Sequence, residues 1–200
     1  MTGTEPAEVC DQDLVRLAQA GDADAFGTLV ERNRTAVFRA ALAALGSPAE
    51  ADDVAQEAFV MAYRKIGTFR GEAAFRTWLL AIAWRKALDR RKSLTRWLKL
   101  TATPSEPDGD HSHWIEHMPA MTRSQEEDLA ATQLQQKVKS LIRTLPRKLR
   151  DSLLLAGSGE YTYEQISQML GVPVGTVKWR VSEARRVLKL KLSAVGYAGE

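Results

Sequence analysis

Residues 161–188 carry a pattern that few folds satisfy. Tyr161-Thr162-Tyr163-Glu164-Gln165-Ile166-Ser167-Gln168-Met169-Leu170 reads as a short helix, Gly171-Val172-Pro173 as a turn, and the segment from Val174 as a second helix. Ile166 and Leu170 face inward from the first helix. Val177, Val181, Ala184 and Leu188, spaced four, three and four, face inward from the second. Gly171 suits the left-handed residue that ends a helix, and Gly175-Thr176 suits a helix start. Two helices whose apolar faces meet across such a turn form a helix-turn-helix. Left on the outer surface are Thr176, Lys178, Trp179, Arg180, Ser182, Glu183, Arg185 and Arg186. That surface suits a major groove lined by phosphates: Arg and Lys supply charge, while Thr, Ser and Glu can read base edges. Trp179 is open to two readings, contact with a thymine methyl or with a protein partner. A plain helical hairpin with a solvated basic face shares the periodicity but gives no reason for the turn residues.

Elsewhere helical periodicity dominates, and no alternating run is long enough for a sheet. An all-α chain is expected, with two small helical domains, 1–100 and 129–200, joined by a linker at 101–128. The first helix is expected from Asp13 to about Ala20, ending at Gly21-Asp22. Asp22 or Asp24 then caps a second helix that runs through Asn33 to Leu45, where Gly46-Ser47-Pro48 breaks it. Ala49 to Ile66 places Val54, Ala58, Phe59, Ala62, Tyr63 and Ile66 on one stripe, with Asp53, Gln56, Glu57 and Arg64 largely opposite. After Gly67 to Gly71, a helix from Ala74 to about Leu100 starts apolar and turns basic: Thr68 to Leu100 holds nine Lys/Arg and two Asp/Glu. Pro104, Pro107, Gly109 and Pro119 then mark the linker. Helical character resumes at Leu129, and Leu145-Pro146 precedes a short helix from Arg147 to Leu155.

Charge follows the same division. Residues 1–100 carry 15 Lys/Arg and 13 Asp/Glu, residues 101–128 carry 1 and 7, and residues 129–200 carry 12 and 5. A basic C-terminal unit fits a polyanionic partner. Cys10 is the single cysteine, so no intrachain disulfide and no thiolate zinc site can form, and a reducing compartment is expected. The longest stretch free of Asp, Glu, Lys and Arg, Gln165 to Val177, falls short of a membrane span, and the N-terminus lacks the apolar segment of a secretory signal. The chain is expected in the cytoplasm without membrane insertion.

In the basic helix and the break before it, Phe69, Phe75, Trp78 and Trp84 interleave with Arg70, Arg76, Arg85 and Lys86. Ring faces take unstacked bases while cations take the backbone, a combination suited to single-stranded DNA. Phe75 and Trp78 fit the core, and Phe69 and Trp84 are the better candidates for bases. On the preceding helix, Asp53, Gln56 and Glu57 offer an acidic face to a basic partner, or are simply a solvated face.

Taken in order, these segments resemble the extracytoplasmic-function group of the sigma-70 family, the bacterial RNA polymerase specificity subunits. Leu14 to Asn33 resembles the family's opening helices, and Asp52-Asp53-Val54-Ala55-Gln56-Glu57-Ala58-Phe59 its polymerase-clamp signature. Phe75-Arg76-Thr77-Trp78-Leu79-Leu80-Ala81-Ile82-Ala83 with Ala87-Leu88-Asp89-Arg90-Arg91 resembles the segment that melts and reads the −10 element. Leu145-Pro146, Arg150 and the helix-turn-helix resemble the −35-binding domain. The resemblance implies core polymerase contacts by Asp52, Asp53, Gln56 and Glu57. It implies −10 contacts by Phe69, Arg70, Arg76, Trp84, Arg85, Lys86, Asp89, Arg90 and Arg91, and −35 contacts by the outer residues of the second C-terminal helix. It further implies core RNA polymerase, promoter DNA and an anti-sigma factor as partners, with no cofactor, no metal and no catalytic residue. Many family members carry an asparagine where this chain has Arg85; Asn both donates and accepts whereas Arg only donates, which leaves the −10 preference of this chain open.

The two promoter elements lie about two helical turns apart, roughly 70 Å. Residues 101–128 reach roughly 95 Å when extended but average about 30 Å as a free coil, so the linker alone would rarely span them; the resemblance implies that polymerase holds it stretched.

Two rival classes share some of these features. Glu50, Asp52, Asp53 and Glu57 suggest a metal-dependent phosphohydrolase or nuclease, although such sites take ligands projecting inward from several helices. A self-sufficient helix-turn-helix repressor accounts for the C-terminal unit but gives no reason for the Asp52 to Phe59 surface. His111, His113 and His117 are close enough in sequence to bind a metal, or are incidental to a proline-bearing acidic linker; Cys10 offers a redox role or none.

Overall fold

A computed structural model describes residues 9–101, 134 and 136–194. Among these residues every regular element is helical. The helices are α1 (Asp11–Gln19), α2 (Ala23–Leu45), α3 (Pro48–Lys65), α4 (Phe75–Thr101), α5 (Arg147–Gly157), α6 (Tyr163–Leu170) and α7 (Val174–Ala194), with a 3-10 turn at Ile66–Thr68 and further helical residues at 136–143. The expected linker and its histidines lie outside the described residues, apart from Thr101, which ends α4.

Local chemistry sets the boundaries. The Asp22 carboxylate accepts from the backbone N–H groups of Asp24 and Ala25 at 2.9 and 3.0 Å, as an N-cap does. Gly46 closes α2 at φ 74°, and Ser47-Pro48 opens α3 immediately afterwards. Gln19 donates to the carbonyls of Ile66 and Phe69 at 3.0 and 2.9 Å, tying the end of α1 to the turn between α3 and α4.

α2, α3 and α4 pack on one another around Leu29, Val37, Val54, Leu79, Leu80 and Trp84, none more than 1% exposed. Alanines fill the contacts: Ala40, Ala41 and Ala44 of α2, Ala51, Ala58 and Ala62 of α3, and Ala83 and Ala87 of α4 are all fully buried. Side chains this small let helix axes approach closely and lose little rotamer freedom on folding. The buried stripe of α3 is narrower than its sequence suggested. Val54, Ala58 and Ala62 form its centre; Tyr63, one residue further round, is 48% exposed and reaches back only to put its ring edge on Phe26.

The C-terminal unit is built on Leu154, Leu155, Ile166, Val177, Val181 and Ala184, all at most 1% exposed. Thr162 and Gln165 form a reciprocal capping box at the start of α6. Gly171 ends that helix at φ 64°, as the turn requires. The Ser167 hydroxyl donates to the Val172 carbonyl at 2.6 Å, and the Pro173 carbonyl accepts from the N–H groups of Thr176 and Val177. α7 therefore begins at Val174, just before the expected Gly175-Thr176.

The two units are in contact. α6 lies along α4, and α5 touches α2.

Candidate functional site

Three surfaces carry the residues singled out in the sequence. On α3, Asp52, Asp53 and Gln56 are exposed, and the Gln56 amide donates to Asp52 at 2.8 Å. Glu57 differs from the expectation of an available acid. Its carboxylate accepts from Lys86 at 3.0 Å and from Arg90 at 2.6 Å, and Arg90 also donates to Glu50 at 2.9 Å. These ion pairs clamp α3 to α4, and the hydrogen bond from Lys86, followed by that from Arg90, holds the Glu57 carboxyl below its ordinary value. Two of the four carboxylates of the phosphohydrolase alternative are thus already occupied by cations. Beside this acidic row a groove of about 780 Å³ opens between α2 and α3, floored by Val30, Phe38, Leu42 and Phe59, edged by Asp52 and Gln56, and bounded by Gly157 and Ser158 at the end of α5.

The second surface belongs to α4 and the turn before it. Here the structure corrects the aromatic assignment: Trp84 is 1% exposed and is among the largest fully buried side chains. Its ring belongs to the core and has no face to offer a base. The cause is register, since Leu80, Ala83, Trp84 and Ala87 fall on the buried face of α4, while Arg85 and Asp89 point outward. Phe69 is half-buried, with its ring 5.9 Å from Phe75 and 5.1 Å from Trp78, a small aromatic cluster at the start of α4.

The cations divide into groups. Arg70 and Arg85 are exposed, as is Asp89, which pairs with Lys92 at 3.1 Å. Lys86 and Arg90 are engaged with Glu50 and Glu57 as above. Arg76 and Arg91 instead reach the C-terminal unit. Arg91 donates through both terminal nitrogens to the two oxygens of Asp151, at 2.9 and 3.0 Å, and Arg76 approaches Glu160 at 3.4 Å.

The third surface is the outer face of α7. Lys178, Trp179, Ser182, Arg185 and Arg186 are exposed, Trp179 at 62%; Thr176, Arg180 and Glu183 are half-buried. Arg186 makes a fork to Glu183 at 2.8 and 2.7 Å, which lowers the glutamate pKa and fixes both side chains along one side of the helix.

Sequence reasoning missed the residues that join the units. Arg39 of α2 pairs with Glu160, and the Tyr161 hydroxyl donates to the Ala36 carbonyl at 2.6 Å in a buried position, where loss of water pushes the phenol pKa well up. Their partners lie 121 and 125 residues away, so no local spacing announces them.

Among the described residues no helix is long and apolar enough to cross a membrane, and no group of three or more His, Cys, Asp or Glu is placed to hold a metal ion.

Comparison with known proteins gives two family matches. Residues 29–97 match Sigma-70 region 2 and residues 135–188 match Sigma-70 region 4; together they span more than half of the chain. The sequence is 33% identical to the RNA polymerase sigma-H factor of Pseudomonas aeruginosa over 180 residues, covering 89% of this chain and 91% of that protein. It is 34% identical to the ECF RNA polymerase sigma-E factor of Escherichia coli K12 over 188 residues, covering 92% of this chain and 95% of that protein. Among solved structures it is similar to CnrH in complex with the cytosolic domain of CnrY, with a TM-score of 0.63, 26% identity, and coverage of 92% of this chain and 97% of that one. The fold is also that of the sigma factor RpoE bound to the anti-sigma factor NepR from Bartonella quintana, with a TM-score of 0.60 at 20% identity over 84% of this chain and 96% of that one.

Proposed function

We propose a residue-level division of labour for this chain, which belongs to the extracytoplasmic-function group of the sigma-70 family of bacterial RNA polymerase specificity subunits. A sigma factor binds core RNA polymerase and directs it to promoters. Residues 1–100 act as the polymerase-binding and −10-reading domain, 101–128 as the connecting linker, and 129–200 as the −35-reading domain. The protein works in the cytoplasm as a specificity subunit and performs no catalysis of its own.

The observation that carries the assignment is the acidic row of α3, exposed and backed by an apolar groove, followed on the chain by a helix-turn-helix with cations on its outer face. Asp52, Asp53 and Gln56 meet the polymerase directly. Glu57 is a positioning residue, since its carboxylate is held by Lys86 and Arg90. Arg70 in the turn before α4 and Arg85 on α4 are presented to the melted −10 strand, while the buried Trp84 holds the helix in place. On α7, Lys178, Trp179, Arg180, Ser182 and Arg185 meet the −35 duplex, with Thr176 reaching from the helix start and the Glu183–Arg186 pair setting the edge of that face.

An anti-sigma factor holds the chain inactive. The groove between α2 and α3, bounded by the end of α5, offers such a partner an apolar seat touching both units.

The test is in vitro transcription from a genomic fragment library with purified core polymerase, with and without the protein. Transcript starts sharing a two-part upstream motif only when it is present are expected; none from a folded protein would overturn the assignment. Asp52→Lys with Asp53→Lys should abolish polymerase binding with far-UV helicity intact, and binding at wild-type affinity would remove the α3 assignment.

A further inference from the structure

We propose that Asp151 and Glu160 are internal stand-ins for DNA phosphates, latching the C-terminal unit onto arginines that contact the promoter once the chain opens. The inference rests on the function proposed above. Residues 129–200 carry twelve Lys/Arg and five Asp/Glu, and two of those five acids sit on arginines of the other unit. Arg91 meets Asp151 with two parallel hydrogen bonds, the fork geometry with which a guanidinium also takes a phosphate. The two side chains are only 15% and 12% exposed, so salt screens the pair weakly. Arg76 lies 3.4 Å from both the carboxylate and the backbone carbonyl of Glu160, and Arg39 takes the other carboxylate oxygen. The Tyr161 hydroxyl also ties the two units, donating to the Ala36 carbonyl.

All these ties come from the stretch 151–161, which ends just before α6, the helix that packs on α4. In this arrangement both terminal nitrogens of Arg91 are taken by Asp151 and one terminal nitrogen of Arg76 is drawn to Glu160, so neither arginine offers a full fork to DNA. Separating the units exchanges two carboxylates for two phosphates on the same arginines. The electrostatic gain at the DNA thereby offsets much of the loss at the latch, and the free chain stays closed until polymerase draws the units apart.

The test uses the full chain without polymerase and a fluorescent mixed-sequence 20-nucleotide single-stranded DNA. Asp151→Asn with Glu160→Gln should enlarge the radius of gyration in small-angle scattering and tighten binding by at least about tenfold. The log–log salt slope should steepen by about 1.4, at roughly 0.7 per phosphate. Adding Arg76→Ala and Arg91→Ala should return both affinity and slope to wild-type values. Glu31→Gln with Glu72→Gln, the same charge change at exposed sites, should give no gain; an equal gain there would overturn the latch. An unchanged radius, or an enlarged radius without tighter binding, would overturn it as well. Should the double variant lose helicity, Glu160→Gln alone, at a part-exposed side chain, carries the same test at half the slope change. Failure of the sigma assignment itself would appear separately, as absent transcript starts with wild-type protein and core polymerase.

Discussion

Arg91 of α4 and Asp151 of α5, sixty residues apart in sequence, meet through two hydrogen bonds of 2.9 and 3.0 Å at a junction that excludes most water. Arg91 also donates to the Ala44 carbonyl at 3.1 Å, so one guanidinium joins α2, α4 and α5. Truncating either partner leaves a poorly hydrated charge behind. Arg91→Ala and Asp151→Ala are each expected to lower stability by about 3 kcal/mol, with less than additive loss in the double variant. A double-mutant cycle in urea should give a coupling of about 1–3 kcal/mol, and strictly additive losses would show the pair to be energetically idle.

Trp84 is a residue of folding rather than of nucleic-acid affinity. Its side chain lies at 1% exposure among Leu79, Leu80 and the alanines of three helices, so Trp84→Ala leaves a large cavity. The expected loss is about 3–5 kcal/mol by urea denaturation, with Trp84→Phe retaining part of it. Single-stranded DNA affinity of the folded fraction should be unchanged; a selective loss of affinity with intact stability would return the ring to the DNA surface.

The contrast between Trp84 and the helix-turn-helix shows where sequence is informative. The spacing of Val177, Val181, Ala184 and Leu188 and the left-handed Gly171 are local features, each set by residues within a few turns, and all appear in the fold as read. The helix boundaries around Asp22, Gly46 and Ser47-Pro48 are legible for the same reason: caps are chemistry between near neighbours. Trp84 has the same neighbours in sequence whether it faces water or α2, and a Trp beside Arg85 and Lys86 fits either setting. Only the approach of α2 and α3 decides it. Glu57 is similar: its helix position says that it faces away from the stripe centre, but not that Lys86 and Arg90 wait on α4. Asp151, Glu160 and Tyr161 were invisible because their partners belong to the other unit.

Glu57 makes stability depend on pH in a defined direction. Hydrogen bonds from Lys86 and Arg90 depress its folded pKa below the unfolded value of about 4.3. A group depressed in this way contributes stability that is fully present above the unfolded pKa and is lost as pH falls through the folded pKa. Glu57→Gln should therefore melt below wild type at pH 7. The gap should close as both proteins are titrated below about pH 4. Thermal melts across that range check it, and a gap that is constant with pH would mean the carboxylate contributes only shape.

On α7, the fork between Arg186 and Glu183 separates two arginines that sequence alone treats alike. Arg185 is exposed one residue earlier, whereas Arg186 must share or surrender its carboxylate before it takes a phosphate. Each phosphate contact on duplex DNA contributes about 0.9 to the slope of log affinity against log salt. Arg185→Ala should flatten that slope by about this amount for a −35 duplex, and Arg186→Ala by less. Glu183→Gln, which removes the competing carboxylate, should steepen the slope by freeing Arg186 for the backbone. An unchanged slope in Arg186→Ala, together with no change in Glu183→Gln, would place the pair away from the DNA and leave Lys178, Arg180 and Arg185 as the charges that hold α7 in the groove.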